Sequence, residues 1–285
     1  MKKVCAITGT RADYGLFYWL LKELEADNFF DLKLIATGSH LSEEHGNTFK
    51  VIEEDGFNIS YKADMGLSLD QPEDITYSMG IGISEIGRAF KKLCPDLVIV
   101  IGDRYEILIS VIAATIFNIP IAHIHGGERS EGAFDESFRH SITKMSHFHF
   151  CALEEYKKRI IQLGEDPKKV FNVGAIGIDN ILQLKLLSKS KLEEEIDFKF
   201  NKRNLLITFH PVTLEKSTAH EQFSNLLDAL SELKETNLIF TKSNMFCGID
   251  YCMWKLCPGP KPHKRGLQLR GWGGFASRET SPPTW

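Results

Sequence analysis

The chain has 285 residues, 43% hydrophobic and 25% charged, with 38 acidic against 34 basic side chains and a formal net charge of −4. That balance suits one large or two modest globular domains, and it argues against disorder and against an electrostatic nucleic-acid binder. No apolar run approaches the roughly 20 residues of a membrane span, and Met1-Lys2-Lys3 leads directly into a short strand, so a cytoplasmic protein without membrane association is expected.

In chain order, Val4 to Thr8 reads as a first strand and about Leu16 to Ala26 as a helix with Leu16, Trp19, Leu20 and Leu24 on one face. Between them, Gly9-Thr10-Arg11-Ala12-Asp13-Tyr14-Gly15 reads as a loop that either aims backbone N–H groups and a guanidinium at a phosphate or is a tight turn with a surface arginine. It is not a Walker loop, because the Gly-Lys-Ser/Thr ending is absent. Leu32 to Thr37 is a second strand, followed at its carboxyl end by Gly38-Ser39-His40-Leu41. A helix over Asn47 to Asp55, a strand over Phe57 to Tyr61 and a helix from about Ile75 to Leu93 come next. Gly80, Gly82 and Gly87 lie in that last helix, but residue 85 is Glu, so the Gly-x-Gly-x-x-Gly dinucleotide pattern fails. These glycines are expected to serve close helix packing.

The stretch from Pro95 to Asp135 carries the chemistry. Leu97 to Ile101 is an unbroken aliphatic run, which reads as a strand buried on both faces. Gly102 ends it, so Asp103 and Arg104 emerge at the carboxyl edge, where open parallel sheets bind ligands. After a crossover helix over Glu106 to Asn118, Ile119 to His125 repeats the design and delivers His125 and Glu128 to the same edge. On a following helix Asp135 and Arg139 share a face, as do Glu136 and His140. Ser146 to Ala152 and Val170 to Val173 read as strands around a helix from Leu153 to Leu163, completing a doubly wound domain. Cys5, Cys94 and Cys151 lie in or beside apolar runs at unrelated spacings, as buried free thiols do.

The boundaries expected are an N-terminal domain over 1–180, a charged linker over 181–203, and the start of a second domain over 204–244. In that second part Asn204 to Phe209 and Asn237 to Thr241 read as strands around a helix from Glu221 to Lys234, with His210 at the first strand's carboxyl edge. So short a fragment cannot cover both faces of a parallel sheet, so Leu205, Leu206, Ile207, Leu238, Ile239 and Phe240 are expected to stay partly exposed. From 245 to 285 the composition changes to Trp, Cys, Pro, Gly and basic residues without periodicity, and its C-x₄-C-x₄-C spacing is no zinc ribbon. A frameshifted or mis-joined reading frame, leaving a disordered tail, is the expectation for this stretch.

Six ordered motifs carry a resemblance: Thr8 to Gly15, Thr37 to Leu41, Gly102-Asp103-Arg104, His125-Gly126-Gly127-Glu128, Asp135 to Lys144, and Thr208-Phe209-His210-Pro211. Over roughly residues 1 to 244 the chain resembles the hydrolysing UDP-N-acetylglucosamine 2-epimerases of sialic-acid synthesis. The resemblance implies two Rossmann-like domains of the glycosyltransferase-B type with a UDP-sugar between them, the second truncated here, and a homo-oligomer, usually a dimer or tetramer. Some members carry Glu where this chain has His125, and a close branch acts on UDP-N,N′-diacetylbacillosamine for legionaminic acid.

The implied reaction is elimination of UDP to a 2-acetamidoglucal followed by hydration, which needs a base, an acid and stabilisation of the diphosphate, but no metal and no cofactor. Asp103 and Asp135 are expected to move protons, with His125 and Glu128 beside them; Arg11 and His210 would contact the diphosphate, and Asp13, His40, Arg104 and Arg139 complete the substrate-binding set. Clustered carboxylates raise one another's pKa, so one can act as acid and another as base. Three rival readings are a metal-dependent hydrolase built on His123, His125, His140, His147 and His149, a sugar-nucleotide glycosyltransferase, and a non-catalytic interaction protein. The first lacks an established zinc spacing.

Overall fold

The structure is a computed structural model that describes residues 1–43, 45–67, 71–131, 133–209, 219–241 and the backbone of 267–269. Its contacts divide the chain into two units, Met1–Leu182 and Gln183–Trp285.

The first unit alternates strands and helices: β1 (Lys2–Thr8), α1 (Arg11–Ala26), β2 (Phe30–Thr37), α2 (Phe49–Glu54), β3 (Ile59–Ala63), α3 (Pro72–Leu93), β4 (Leu97–Ile101) and α4 (Tyr105–Ile116). It continues with β5 (Ile121–Ile124), α5 (Asp135–Met145), β6 (Phe148–Cys151), α6 (Glu154–Gln162), β7 (Val170–Asn172) and α7 (Gly177–Gln183). The seven strands form one sheet in the order β3-β2-β1-β4-β5-β6-β7, and every pairing is parallel. The order reverses between β1 and β4, and the crevice beyond the carboxyl ends of those strands is where such sheets bind ligands.

Alternation along the strands builds two cores. Cys5, Ile7, Val98, Val100 and Ile121 face Ile86 and Phe90 of α3, Ile107 and Val111 of α4 and Ile142 of α5. The intervening residues Val4, Ala6, Ile99, Ile101 and Ile124 face Phe17 and Leu21 of α1 and Ile52 of α2. Helices on both faces account for the unbroken apolar runs of β1 and β4.

Two differences from the expected elements matter. The first helix begins at Arg11, five residues before its expected start. Thr10 is its N-cap, and a reciprocal pair of bonds closes a capping box: Asp13 N–H donates to Thr10 Oγ1 (3.2 Å) and Thr10 N–H to the Asp13 carboxylate (3.1 Å). The loop after β1 therefore shrinks to Gly9 and Thr10. At β5 the strand stops at Ile124, so His125 stands outside it.

Of the three helical glycines expected to pack closely, Gly82 does so: a Cβ there would lie 2.5 Å from Ile109 Cδ1 and 2.9 Å from Met65 Cγ. Gly80 faces open space.

The second unit holds α8 (Lys189–Glu195), β8 (Arg203–Ile207), α9 (Ala219–Ser231), β9 (Thr236–Phe240) and β10 (Leu267–Leu269), with a parallel sheet in the order β10-β9-β8. The stretch read as a linker thus contains one helix, capped by Ser188. Of 245–285, only Leu267–Leu269 falls among the described residues, and it is a strand paired with β9. Leu205 and Leu206 are exposed as expected, whereas Leu238 and Phe240 are buried against Phe223 of α9. Among the described residues no helix is long and apolar enough to cross a membrane.

Candidate active site

Four loops meet at the carboxyl edge of β1, β2, β4 and β5. The β4 strand ends in Gly102 at φ 80°, whose N–H donates to Ile124 O of β5 (3.0 Å), keeping the two strand ends in register. Asp103 then turns into the crevice. Arg139, from the second turn of α5 and almost wholly buried, donates to the Asp103 carboxylate, and Ser130 Oγ donates to the same oxygen (3.3 Å). The guanidinium also donates to His125 O (2.8 Å) and lies 3.6 Å from Glu128 Oε2. One arginine therefore ties together the ends of β4 and β5 and the turn that follows.

His125 sits in left-handed backbone at φ 62°, anchored by its N–H to Phe150 O of β6 (2.9 Å). Its Nδ1 is bonded to Glu128 Oε1, while Nε2 is buried with no hydrogen-bond partner among the described residues. Asp135 opens α5 beside this group. Burial first, and the Asp103 charge second, raise its pKa.

A second cluster lies between β1 and β4. Glu106, in the first turn of α4, is completely buried and receives a forked pair from Arg104: Nη2 to Oε1 at 2.9 Å and Nε to Oε2 at 3.1 Å. Burial alone would lower the Arg104 pKa, but Glu106, joined by Asp13, raises it further. Asp13 is half-buried beside this pair; burial pushes its carboxyl up to about 6, with Arg104 opposing and Glu106 reinforcing the change.

This arrangement provides carboxylates of distinct proton affinity, an imidazole with one free nitrogen and two fixed guanidinium groups. It is equipped for proton transfer beside an anion. The sequence matches the protein family described as UDP-N-acetylglucosamine 2-epimerase over residues 22–246, well over half of the chain. The chain belongs to this family.

Within the epimerase family, it is 42% identical over 243 residues to the GDP/UDP-N,N′-diacetylbacillosamine 2-epimerase (hydrolyzing) of Campylobacter jejuni, covering 85% of this chain and 63% of that protein. It is also 42% identical over 257 residues to polysialic acid biosynthesis protein P7 of Escherichia coli, covering 90% of this chain and 66% of that protein. The crystal structure of the UDP-GlcNAc 2-epimerase from Neisseria meningitidis bound to UDP-GlcNAc matches with a TM-score of 0.80 at 20% identity, over 96% of this chain and 73% of that one, which shows a shared fold. The chain spans less than two thirds of the length of the two curated relatives it matches here.

Of the residues singled out in the sequence, Asp103, His125, Glu128, Asp135 and Arg139 converge. Arg139, on the same helix face as Asp135, reaches across to Asp103. Glu136 and His140 do meet along the helix, at 3.4 Å. Arg104 faces the same edge but is committed to Glu106. Arg11 is exposed at the first position of α1. His210 lies outside the described residues.

His40 corrects an expectation. It is fully buried, with Nε2 against Thr8 Oγ1 (3.0 Å) and Nδ1 against Thr48 Oγ1 (2.8 Å), so it braces the β1 and β2 ends and offers no nitrogen to a ligand. His123 and His149, weighed as metal ligands, are likewise interior; His123 bonds Gly102 O (2.8 Å) and Thr143 Oγ1 (3.2 Å). Among the described residues no group of three or more His, Cys, Asp and Glu side chains could hold a metal ion.

Glu106 belongs to this site although in the sequence it marks only the start of the crossover helix. Its signal was present: one acid in the otherwise apolar helix Tyr-Glu-Ile-Leu-Ile-Ser-Val-Ile-Ala-Ala-Thr-Ile, two residues after an arginine. A charge at such a position is expected to have a partner.

Proposed function

We propose that this chain carries the catalytic edge of a hydrolysing UDP-sugar 2-epimerase, converting UDP-N-acetylglucosamine to N-acetylmannosamine and UDP, for sialic-acid synthesis. In the first step a base removes the proton at C2 while the C1–O bond to the diphosphate breaks, giving the 2-acetamidoglucal and UDP. In the second, water adds its oxygen at C1 and a proton returns to C2 on the opposite face. The reading rests on one observation: Asp103 clamped by Arg139, His125 oriented by Glu128, and Asp135 with a raised pKa share a single sheet edge.

In this reading Asp135 supplies a proton, Asp103 removes one, and His125, with Nε2 free, attends the water or the leaving oxygen. Arg11, Arg104 and His210 attend the diphosphate, with Asp13 and Arg139 beside the sugar, no cofactor is required, and the active form is a homo-oligomer in the cytoplasm. A second reading, in which the substrate is UDP-N,N′-diacetylbacillosamine, is favoured by the 42% identity to the Campylobacter jejuni enzyme of that name.

The test is turnover of both sugar nucleotides in D₂O, with UDP release and product mass followed together. Deuterium at C2 of the product from one of the two identifies the substrate, and Asp135→Asn lowers kcat by about 10²- to 10⁴-fold, the range for a positioned acid or base. A wild-type chain that neither binds UDP nor releases it from either compound would overturn the reading.

A further inference from the structure

We propose that Glu106 is a positioning residue for the sugar nucleotide, holding the Arg104 guanidinium in one forked orientation at the point where three sheet-edge loops close on each other. The inference rests on the reading of this edge as a UDP-sugar site.

The geometry leaves the carboxylate little freedom. Glu106 is completely buried, and both of its oxygens receive Arg104. Its aliphatic stem is enclosed by the two glycine loops at the ends of β1 and β2. A Cβ on Gly9 would lie 3.2 Å from Glu106 Cβ, and one on Gly38, whose φ is +58°, would lie 2.9 Å from Glu106 Cγ and 2.9 Å from Gly9 O. Those loops are joined to each other: Ser39 Oγ donates to Gly9 O at 3.1 Å, and His40 N–H reaches the same oxygen at 3.4 Å. Side chains larger than hydrogen at residues 9 and 38 would push Glu106 away from Arg104.

A buried carboxylate needs a charge partner, and a paired guanidinium is planar and geometrically fixed in a way an ammonium is not. Arg104 belongs to the segment that also places Asp103, so fixing the guanidinium fixes the loop that bears the proposed base. A free arginine at this position would lose side-chain entropy each time an anion bound; a preorganised one does not.

A double-mutant cycle on the full chain separates this role from simple packing. UDP affinity is measured for wild type, Glu106→Gln, Arg104→Ala and the double variant, alongside thermal unfolding of all four. Glu106→Gln should weaken UDP binding about tenfold, and the double variant should bind no more weakly than Arg104→Ala alone, because Glu106 acts through Arg104. Wild-type affinity in a folded Glu106→Gln protein, or effects that multiply in the double variant, would overturn the proposal. Should Glu106→Gln fail to fold, Arg104→Lys keeps the charge without the fork and should also bind about tenfold more weakly; unchanged affinity there overturns the proposal as well. If wild type does not bind UDP, the functional reading fails separately, and the melting curves still decide the pair. Arg104→Ala, which strands a buried carboxylate, should unfold at a lower temperature than the double variant; the reverse order would show that Glu106 does not depend on Arg104.

Discussion

His125 occupies left-handed backbone at φ 62°, a region that non-glycine residues enter at a cost. What holds it there is the following turn. Gly127, at φ +76°, lies so close to α6 that an added Cβ would meet Tyr156 O at 2.6 Å and Ile160 Cγ1 at 2.8 Å, while Arg159 donates to Gly127 O. The turn can therefore neither gain a side chain nor lift away from α6, and Glu128 is delivered to Nδ1 of His125. Gly127→Ala is expected to destabilise the protein by about 2–4 kcal/mol, from left-handed strain and overpacking against backbone. Urea unfolding measures this, and a cost below about 1 kcal/mol would show that the turn is not wedged. At this scale the sequence was informative where a residue's neighbours in the chain determine its place, as with Asp103 just beyond Gly102. It was misleading for His40, whose partners Thr8 and Thr48 come from other segments and enclose it from both sides.

Elements were legible to the extent that burial on one or both faces wrote a period into them. The β4 strand, Leu97–Ile101, has the bounds its sequence predicts because both faces are apolar, whereas α1 starts five residues before the predicted Leu16. Its first turn, Arg-Ala-Asp-Tyr-Gly, is polar and glycine-ended, so helical periodicity is absent although the cap is present. In α3 the sequence predicts close packing for all three glycines, but which of them meets α4 depends on tertiary contact: Gly82 does and Gly80 does not. That distinction makes a sharp test. Gly82→Ala should cost about 1–3 kcal/mol, because its Cβ would overlap Ile109 and Met65. Gly80→Ala, two residues away in open space on the same helix, should stabilise by up to about 1 kcal/mol through helix propensity. Equal effects at the two sites, measured by chemical denaturation, would remove close α3–α4 packing as the reason for Gly82.

For the molecule as a whole, the parallel sheet and its switch point follow from the alternation of strand and helix signals, but the buried titratable groups do not, and they govern its response to acid. Burial pushes His40 down to about 4 and His123 down to about 3, from an unfolded value of about 6.5. Between those values the unfolded chain binds more protons than the folded one, so this stability is complete above about pH 6.5 and is lost as the pH falls. Asp13 works in the opposite sense. Its folded value of about 6 lies above the unfolded value, so the stability it contributes is present in acid and lost as the pH rises from about 4 to 6. Two imidazoles outweigh one carboxyl, and each pKa unit corresponds to about 1.4 kcal/mol. The first unit is therefore expected to lose on the order of 2 kcal/mol between pH 7 and pH 4.5. Urea unfolding across that range should show the midpoint falling towards acid, and His40→Gln, which removes one titrating group from between its two threonines, should flatten the slope. A midpoint independent of pH, or a slope unchanged in the variant, would mean that the histidines are not buried as neutral groups.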